Sequence, residues 1–249
     1  MDSKEIRSGR LYNDLAELWP LISPPEEYGE EASHWREVLH ETLGPGRHAI
    51  LELGVGGGHN LCHLTPHFDA TAVDASEVML ELCRRLNPGV APYRGDMRNV
   101  RLGKIFSAVL IHDAVSHMLT EADLLAAFAT AAAHLRPGGV LVTAPDRFVE
   151  TFQAPEIGYA THSDGEKTVT YFEYTYDPDP GDTTVETIMV YVVQSGGNLR
   201  MEHDRLPMGL FPKTTWVRLM NEAGFTATSR LFELTGTRRP YELLVGVLR

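Results

Sequence analysis

The sequence predicts a doubly wound α/β domain with a mostly parallel, seven-stranded sheet and an inserted antiparallel β subdomain. Three observations lead to this prediction. Short apolar runs alternate with helical segments from residue 48 to residue 143. The helical periodicity disappears between about residues 148 and 206, and a helix and two closing strands follow that stretch. Repeated strand–helix units in this order are typical of a parallel sheet covered by helices on both faces.

The length and charge of the chain favour a single large domain that does not bind nucleic acid. Its 249 residues carry a formal net charge of −12, and this length fits one large domain with an insertion. An acidic surface repels phosphate backbones, so a nucleic acid is not a predicted partner, whereas a cationic ligand such as an amine is favoured. No apolar stretch is long enough for a signal peptide or a membrane span, so we expect a cytoplasmic protein.

Two helices are predicted before the first strand. The first, at residues 11–19, is amphipathic, and Pro20, Pro24 and Pro25 are expected to end it. Its apolar residues share one helical face: Leu11, Leu15, Leu18 and Trp19. The second helix, at residues 30–43, ends at a Gly-Pro-Gly sequence, which is a clear stop signal.

The α/β units follow one another closely. Strands are predicted at residues 48–53, 71–74, 91–94, 106–111 and 140–143. Helices are predicted to begin near residue 59 and to span residues 76–86, with Ser76 as N-cap, and 121–135, followed by a turn at 136–139 (RPGG). The run at 106–111 is almost continuously apolar, as expected for a strand covered on both faces.

The stretch at residues 148–206 predicts an antiparallel subdomain of three or more strands. Residues 169–176 alternate between two sets of side chains, residues 183–193 are rich in Thr, Val, Ile and Tyr, and a turn (DPDPG) separates the two runs. A helix at 214–223 and strands at 226–233 and 241–248 complete the first domain. We therefore divide the chain into a domain of residues 1–147 and 207–249 and an insertion of residues 148–206, expected to be a substrate cap or a dimer interface.

The segment at residues 52–58 (ELGVGGG) predicts a cofactor loop between a strand and a helix. Glycines allow a tight turn and the close approach of a ligand. A dinucleotide-binding loop needs a third small residue at position 59, which is His59 here. This loop instead favours S-adenosylmethionine (SAM), because it has glycines at 54, 56 and 58 and an acid at 52. Glu52 can form an ion pair with the amino group or the charged end of SAM.

Two further acids follow the next two strands. Asp74 comes 22 positions after Glu52, where a carboxylate can accept both ribose hydroxyls of a nucleoside; a role as a helix-capping residue is the alternative. Asp96 follows the third strand and can accept the adenine amino hydrogens, while Met97 packs against the ring. Both positions lie at the carboxyl ends of strands, where open α/β sheets bind their ligands.

These motifs resemble those of a class I SAM-dependent methyltransferase. The matching segments are ELGVGGG, VDAS, GDMR, FSAV and LRPGGVLV. A closer resemblance is to the antibiotic-sugar N,N-dimethyltransferases of the desosamine and mycaminose type. It extends over almost the whole chain, including residues 95–109, 150–152 (ETF), 209–211 (GLF) and 244–247 (LVGV).

The resemblance implies a Rossmann-like fold, an N-terminal helical lid, SAM as cofactor with S-adenosylhomocysteine as product, a small-molecule acceptor, and a homodimer formed through the insertion. With the motifs, it implies a cofactor site made of Tyr12, Tyr28, Glu52, Gly54, Val55, Gly56, Gly58, Asp74, Ala75, Met79, Asp96, Met97 and His112. It also implies that Tyr12 reaches towards the methyl group and that His117 lies near the acceptor nitrogen. His112 is a second catalytic candidate.

The chain departs from this family at residues 112–114, which read His-Asp-Ala where the family has Phe-Ser-Ser. The predicted pocket therefore contains two ionisable groups that the family lacks. Whether the acceptor of this chain is a sugar nucleotide is left open by the sequence. Arg238 and Arg239 are candidates for binding the phosphates of such an acceptor. The alternative is that they lie in an exposed turn without a binding role. The spacing of His112, Asp113 and His117 does not match a standard zinc pattern, so no metal site is predicted.

The favoured function is in-line methyl transfer to an amine of an amino sugar or another natural-product intermediate. An amine reacts in its neutral form, and a histidine with a pKa near 6.5 can take its proton, so His117 is the first candidate base. Two alternatives remain: O-methylation of a hydroxyl or carboxylate with His112 or His117 as base, and a SAM-binding protein without catalysis.

Overall fold

The computed structural model describes residues 6–236 and 240–249, which form two β-sheets with helices around the larger one. The strands are β1 (Ala49–Leu53), β2 (Asp69–Asp74), β3 (Pro92–Arg94), β4 (Phe106–Ile111), β5 (Leu135–Thr143), β6 (Glu156–Ser163), β7 (Lys167–Tyr176), β8 (Thr184–Ser195), β9 (Asn198–Gly209), β10 (Phe225–Phe232) and β11 (Tyr241–Leu248). The α-helices are α1 (Trp19–Ile22), α2 (Gly29–Leu43), α3 (His59–Leu64), α4 (Glu77–Leu86), α5 (Glu121–Ala133) and α6 (Lys213–Glu222). Within these described ranges, no helix is long and apolar enough to cross a membrane.

The larger sheet has seven strands in the order β10-β11-β5-β4-β1-β2-β3. Strands β1 to β5 are parallel to one another, and β11 is antiparallel to both β5 and β10. Adjacent residues of the central strand belong to opposite cores: Val109 packs on one face of the sheet and Leu110 on the other. The predicted doubly wound fold is confirmed.

Helix α4 begins where the sequence predicts. The Ser76 hydroxyl accepts a hydrogen bond from the Met79 amide at 3.3 Å, which confirms the predicted N-cap. The turn predicted at residues 136–139 lies inside β5 instead. Leu135 already pairs with Phe106 of β4, and the register shifts before the next pair, so these residues bulge out of a continuous strand.

The insertion forms a four-stranded antiparallel sheet in the order β6-β7-β8-β9. Strand β9 continues to Gly209, beyond the predicted end of the insertion at residue 206. Side chains alternate between an inner face, which turns towards the N-terminal segment and the larger domain, and an outer face that is open to solvent. The predicted alternation in residues 169–176 is confirmed.

The N-terminal segment is not the continuous helix predicted for residues 11–19. Residues 11–15 form turns, a 3-10 helix follows at Ala16–Leu18, and α1 contains Pro20 in its first turn. Pro20 does not end a helix because a first-turn amide has no intrahelical acceptor to lose. The predicted apolar face still forms a core against the inner face of the four-stranded sheet, where the Leu11 amide donates to Asp204 at 2.7 Å.

Candidate active site

A cavity of about 880 Å³ lies at the carboxyl ends of β1 to β4. Its other walls are the N-terminal segment and the inner face of the four-stranded sheet. The cavity lies where open α/β sheets bind ligands and has the size of a small-molecule site. Most of the predicted site residues line it: Tyr12, Tyr28, Glu52, Gly54, Val55, Gly56, Asp74, Ala75, Asp96, Met97, His112 and His117.

Gly58 and Met79 lie behind the glycine loop and not on the cavity wall. A Cβ atom on Gly58 would come within 2.8 Å of the Cys83 sulfur, so this glycine permits the loop to pack against α4. The Met79 side chain is buried, and its Cε atom lies 3.5 Å from where a Cβ of Gly56 would stand. These two residues support the loop from the protein side.

The glycine loop and Asp74 form one hydrogen-bonded unit. Gly54 has φ +74°, and a Cβ there would come within 2.5 Å of the Ala114 side chain. The Gly56 amide donates to one Asp74 carboxylate oxygen at 2.8 Å, and the Ser76 amide donates to the other at 2.8 Å. Each oxygen keeps a lone pair, so Asp74 can still accept hydroxyl groups from a ligand in the cavity.

Glu52 contributes a buried carboxylate to the same end of the cavity. Its side chain is 2% exposed, and its Oε2 atom has no hydrogen-bond partner among the described residues. Burial raises its pKa to about 7. A buried acceptor without a donor is unfavourable, so an ammonium group arriving here would be stabilised. The amino acid end of SAM carries such a group, and Glu52 therefore fits the predicted cofactor.

Asp96 is held in place by Arg98, which sequence analysis did not single out. The Arg98 Nε atom lies 3.0 and 3.1 Å from the two Asp96 oxygens, and a second nitrogen donates at 2.6 Å. This bidentate pair lowers the pKa of Asp96. Arg98 also donates to Asp123 at 2.8 Å, which fixes the arginine. Asp96 is thus an ionised acceptor, beside Met97, at the adenine end expected for SAM.

His117 and Tyr12 meet in the middle of the cavity. The Nε2 atom of His117 lies 3.2 Å from the Tyr12 hydroxyl oxygen, and the rings meet edge to face. Burial lowers the pKa of His117 and raises that of Tyr12. Both groups are therefore uncharged near neutral pH, and the imidazole can accept a proton.

His112 has the opposite electrostatic environment. Its Nε2 atom lies 2.8 Å from a Glu31 carboxylate oxygen, and its Nδ1 atom lies 3.2 Å from an Asp113 oxygen. Burial alone would lower the pKa of His112, but the two carboxylates outweigh it and hold the pKa well above its usual value. An imidazolium of this kind has no free lone pair, which argues against the predicted role of His112 as a base.

The remaining side of the cavity is rich in carboxylates. Burial and the nearby Asp113 charge raise the pKa of Asp146, which follows β5, to about 7. Arg147 donates from Nε to Glu156 at 2.7 Å. Glu173 and Tyr171 come from the inner face of β7. The period-two alternation of β7 in the sequence signalled that these two side chains share a face, whereas Asp146 and Arg147 carried no local signal.

The two arginines proposed for phosphate contacts, Arg238 and Arg239, lie outside the described residues. Sequence analysis also missed Glu31 and Tyr241, which contact His112 from α2 and β11. Nothing in their local sequence distinguishes them from other polar residues on a helix or a strand.

The strand order, the glycine loop and the three acids at the strand ends together define a class I SAM-dependent methyltransferase. Residues 50–139 match the family described as "Methyltransferase domain". The chain is 32% identical over 240 residues to the dTDP-3-amino-3,4,6-trideoxy-alpha-D-glucopyranose N,N-dimethyltransferase of Streptomyces venezuelae, covering 94% of this chain and 98% of that protein. This chain therefore belongs to the family of these N,N-dimethyltransferases, and the resemblance seen in its sequence is confirmed.

Solved structures agree with this assignment. DesVI of Streptomyces venezuelae superposes with a TM-score of 0.81 and is 28% identical, covering 95% of this chain and 98% of that chain. CalS10 of Micromonospora echinaspora, an amino pentose methyltransferase solved with SAM bound, gives a TM-score of 0.75 at 26% identity, covering 89% of this chain and 92% of that chain. SAM is thus the cofactor of this enzyme, and S-adenosylhomocysteine is its product.

Proposed function

We propose that this enzyme methylates the nitrogen of an amino sugar. The observation that carries the proposal is the uncharged His117–Tyr12 pair inside a cavity whose lining includes eight carboxyl side chains and two arginines. Such a cavity attracts an amine, and His117 offers a neutral base to take its proton. The relatives named as N,N-dimethyltransferases of dTDP-linked amino sugars support a nitrogen acceptor and a sugar substrate.

The cofactor end of the cavity supplies three acceptors with different tasks. Glu52 would pair with the amino group of SAM, Asp74 would accept the ribose hydroxyls, and Asp96 would accept the adenine amino group. SAM supplies a methyl group on a sulfonium, which is already a strong electrophile. The main contribution of the protein is therefore to hold the acceptor in line, which is worth up to about 7–11 kcal/mol in favourable cases.

His117 would remove the proton from the acceptor nitrogen. Its imidazole is neutral at the pH where an amine is still largely protonated, so it can receive that proton, with Tyr12 fixing the ring. The relatives do not favour O-methylation, and their named activity together with the histidines in the cavity does not favour a protein that only binds SAM.

An acceptor comparison tests this proposal. The enzyme and SAM are incubated with a dTDP-3-amino-3,6-dideoxyhexose and, separately, with the matching sugar that carries a 3-hydroxyl group. We expect a mass gain of one or two methyl groups on the amino sugar and none on the hydroxyl sugar. Methylation of the hydroxyl sugar at a comparable rate would reject the nitrogen acceptor. Turnover of neither sugar, with free amines methylated, would reject the nucleotide-linked substrate.

We further propose that the four-stranded sheet has two roles, as acceptor cap on its inner face and as homodimer interface on its outer face. The outer face pairs Tyr159 with Phe172 and Ile157 with Tyr174, all exposed and none charged. Tyr159 is 79% exposed, and an open apolar patch of this kind is typical of an interaction surface. A second copy fits it because two chains of net charge −12 meet best through an uncharged face.

The same proposal includes a cytoplasmic location. The described chain has two cysteines, Cys62 and Cys83, and both are free thiols. Free, partly or fully buried thiols are common in reducing compartments, whereas secreted proteins usually pair theirs. Fractionation of cells that produce the enzyme tests the location: activity in the cytoplasmic fraction is expected, and activity in the medium would reject it.

A further inference from the structure

A buried ion network centred on His112 separates the cavity from helix α2. One ring nitrogen faces Glu31 at 2.8 Å and the other faces Asp113 at 3.2 Å. The Nε2–Glu31 contact is a hydrogen bond, and the Nδ1–Asp113 contact is an ion pair. Two carboxylates on opposite sides of the ring favour its positively charged form, in which both ring nitrogens carry hydrogen.

The network is anchored on the protein side and open on the cavity side. The Tyr241 hydroxyl lies 3.3 Å from His112 Nε2 and accepts a hydrogen bond from the Trp35 indole at 2.7 Å, and the Trp35 ring lies against the His112 ring. The His112 side chain is 9% exposed, whereas that of Asp113 is 46% exposed and lines the cavity. Asp113 is thus the member of the network that a ligand can reach.

Asp113 also lies close to the proposed base. It begins the 3-10 helix Asp113–His117 that follows β4, and His117 ends that helix. The titratable groups influenced by its charge come from the N-terminal segment and the larger domain: Tyr12, Tyr28, Glu52, His112, His117, Asp146 and Tyr241. A ligand atom between Asp113 and His117 would therefore meet a fixed negative charge on one side and a proton acceptor on the other.

We propose that Asp113 is a catalytic residue that pairs with the positive charge on the acceptor nitrogen, and that His112 and Glu31 are positioning residues that keep Asp113 ionised and turned towards the cavity. This inference rests on the proposed function, because it requires a nitrogen acceptor. In this arrangement His112 positions Asp113 for the ligand.

The charge on the nitrogen explains why a carboxylate is useful here. The amine enters as an ammonium ion, which pairs with Asp113, and His117 takes one of its protons to free the lone pair. When the nitrogen–carbon bond forms and the sulfur–carbon bond breaks, the positive charge passes from sulfur to nitrogen, again beside Asp113. A deprotonated hydroxyl never becomes positive in this way, so a fixed carboxylate favours nitrogen over oxygen acceptors.

Two variants, Asp113→Asn and Glu31→Gln, test the proposal. The control is Glu37→Gln, on the same helix as Glu31, whose carboxylate pairs with His34 on the solvent side. The measurements are kcat and KM for the amine, calorimetric binding of SAM, and binding of the amine to the S-adenosylhomocysteine complex between pH 6 and 8. The His112 ring nitrogens are followed by NMR in the free protein. A conservative variant, Asp113→Glu, keeps the charge and serves as rescue.

We expect Asp113→Asn to weaken amine binding by about 10–100-fold, as for the loss of a charged hydrogen bond, with SAM binding unchanged. Glu31→Gln should weaken amine binding by a smaller factor. The His112 ring should also lose its positive charge at a lower pH in this variant. Glu37→Gln should match the wild type in both measurements. Asp113→Glu should recover most of the affinity.

Three results would overturn the inference: a neutral His112 ring at pH 7 in the free wild-type protein, wild-type amine binding in Asp113→Asn, or a loss in Asp113→Asn that affects SAM more than the amine. The last result would assign Asp113 to the sulfonium. If the wild type methylates no amine at all, the proposed function fails instead, and the NMR measurement still decides whether the charged network exists.

Discussion

The Tyr12 hydroxyl oxygen lies 3.2 Å from His117 Nε2, although 105 positions separate the two residues in the chain. The N-terminal segment brings Tyr12 to this position by two further contacts. Its backbone carbonyl accepts a hydrogen bond from Ser76 at 2.6 Å, and the neighbouring Leu11 amide binds Asp204 of the four-stranded sheet. The segment thus joins the cofactor loop region to the insertion and closes the cavity over the proposed base.

Replacing His117 should separate catalysis from cofactor binding. Because the imidazole is the neutral proton acceptor beside Tyr12, we expect His117→Ala to lower kcat by about 100-fold or more, a typical contribution of general base catalysis. SAM affinity should change little. Steady-state kinetics with an amine acceptor and calorimetry with SAM measure the two effects, and exposed His67→Ala serves as control. An equal loss in both quantities would contradict a catalytic role.

Replacing Asp74 should have the opposite effect. Its carboxylate accepts the Gly56 and Ser76 amides and faces the cavity, so Asp74→Asn loses a charged acceptor for the ribose and disturbs the loop. We expect SAM binding to weaken by about 10–100-fold, equivalent to about 1.4–2.8 kcal/mol. Asp69→Asn, at the exposed far end of the same strand, is the matched control. Unchanged SAM binding in Asp74→Asn would leave Asp74 as a capping residue only.

A charge on the outer face of the four-stranded sheet should prevent self-association. In a symmetric dimer each substitution occurs twice, so Tyr159→Glu would bring two unpaired carboxylates into an apolar contact. We expect the wild type to have the mass of a dimer in light scattering and Tyr159→Glu that of a monomer with unchanged SAM binding. Leu231→Glu, which changes another exposed apolar residue, on β10, is the control. A monomeric wild type would reject the interface.

The elements that the sequence predicts well are those with a local cause. Helix α4 was predicted for residues 76–86 and is found at Glu77–Leu86, because its cap and apolar spacing lie within one short stretch of the chain. Residues 11–15 were predicted wrongly as helix because their conformation depends on a distant partner, Asp204. Periodicity in the segment correctly indicates which side chains are buried but not which backbone conformation buries them.

The site residues also divide into those with a local signal in the sequence and those that only packing brings to the site. Glu52, Asp74 and Asp96 were predicted because each follows a strand of a recognisable α/β unit, and strand ends meet at one edge of a parallel sheet. Glu31 and Tyr241 lie 81 and 129 positions from His112, and only the packing of α2 and β11 brings them to it. Without them His112 looks like a base. With Glu31 and Asp113 on its two nitrogens it is a fixed cation, so the charge state of a histidine was the property that sequence reasoning could not supply.

The raised pKa of Glu52 predicts how SAM binding depends on pH. Burial holds the pKa at about 7 in the folded protein, against 4.5 as its usual value. The protonated, buried carboxyl therefore contributes fully to the free energy of unfolding below about pH 4. This contribution, up to about 3 kcal/mol, is lost as the pH rises through 7. SAM brings an ammonium group that pairs with the ionised form, so its binding removes the proton. We expect affinity to be about tenfold weaker at pH 6 than at pH 8.

The substitution Glu52→Gln separates this effect from the other titrating groups of the cavity, of which Asp146 also has a pKa of about 7. Glutamine has nearly the same shape and no charge, so SAM should bind more weakly at pH 8 and the difference between pH 6 and pH 8 should nearly vanish. Calorimetry at both pH values measures this, with exposed Glu77→Gln as control. If the difference in SAM affinity between pH 6 and pH 8 persists unchanged in Glu52→Gln, it would be assigned to Asp146. Glu52 would then not be the partner of the SAM amino group.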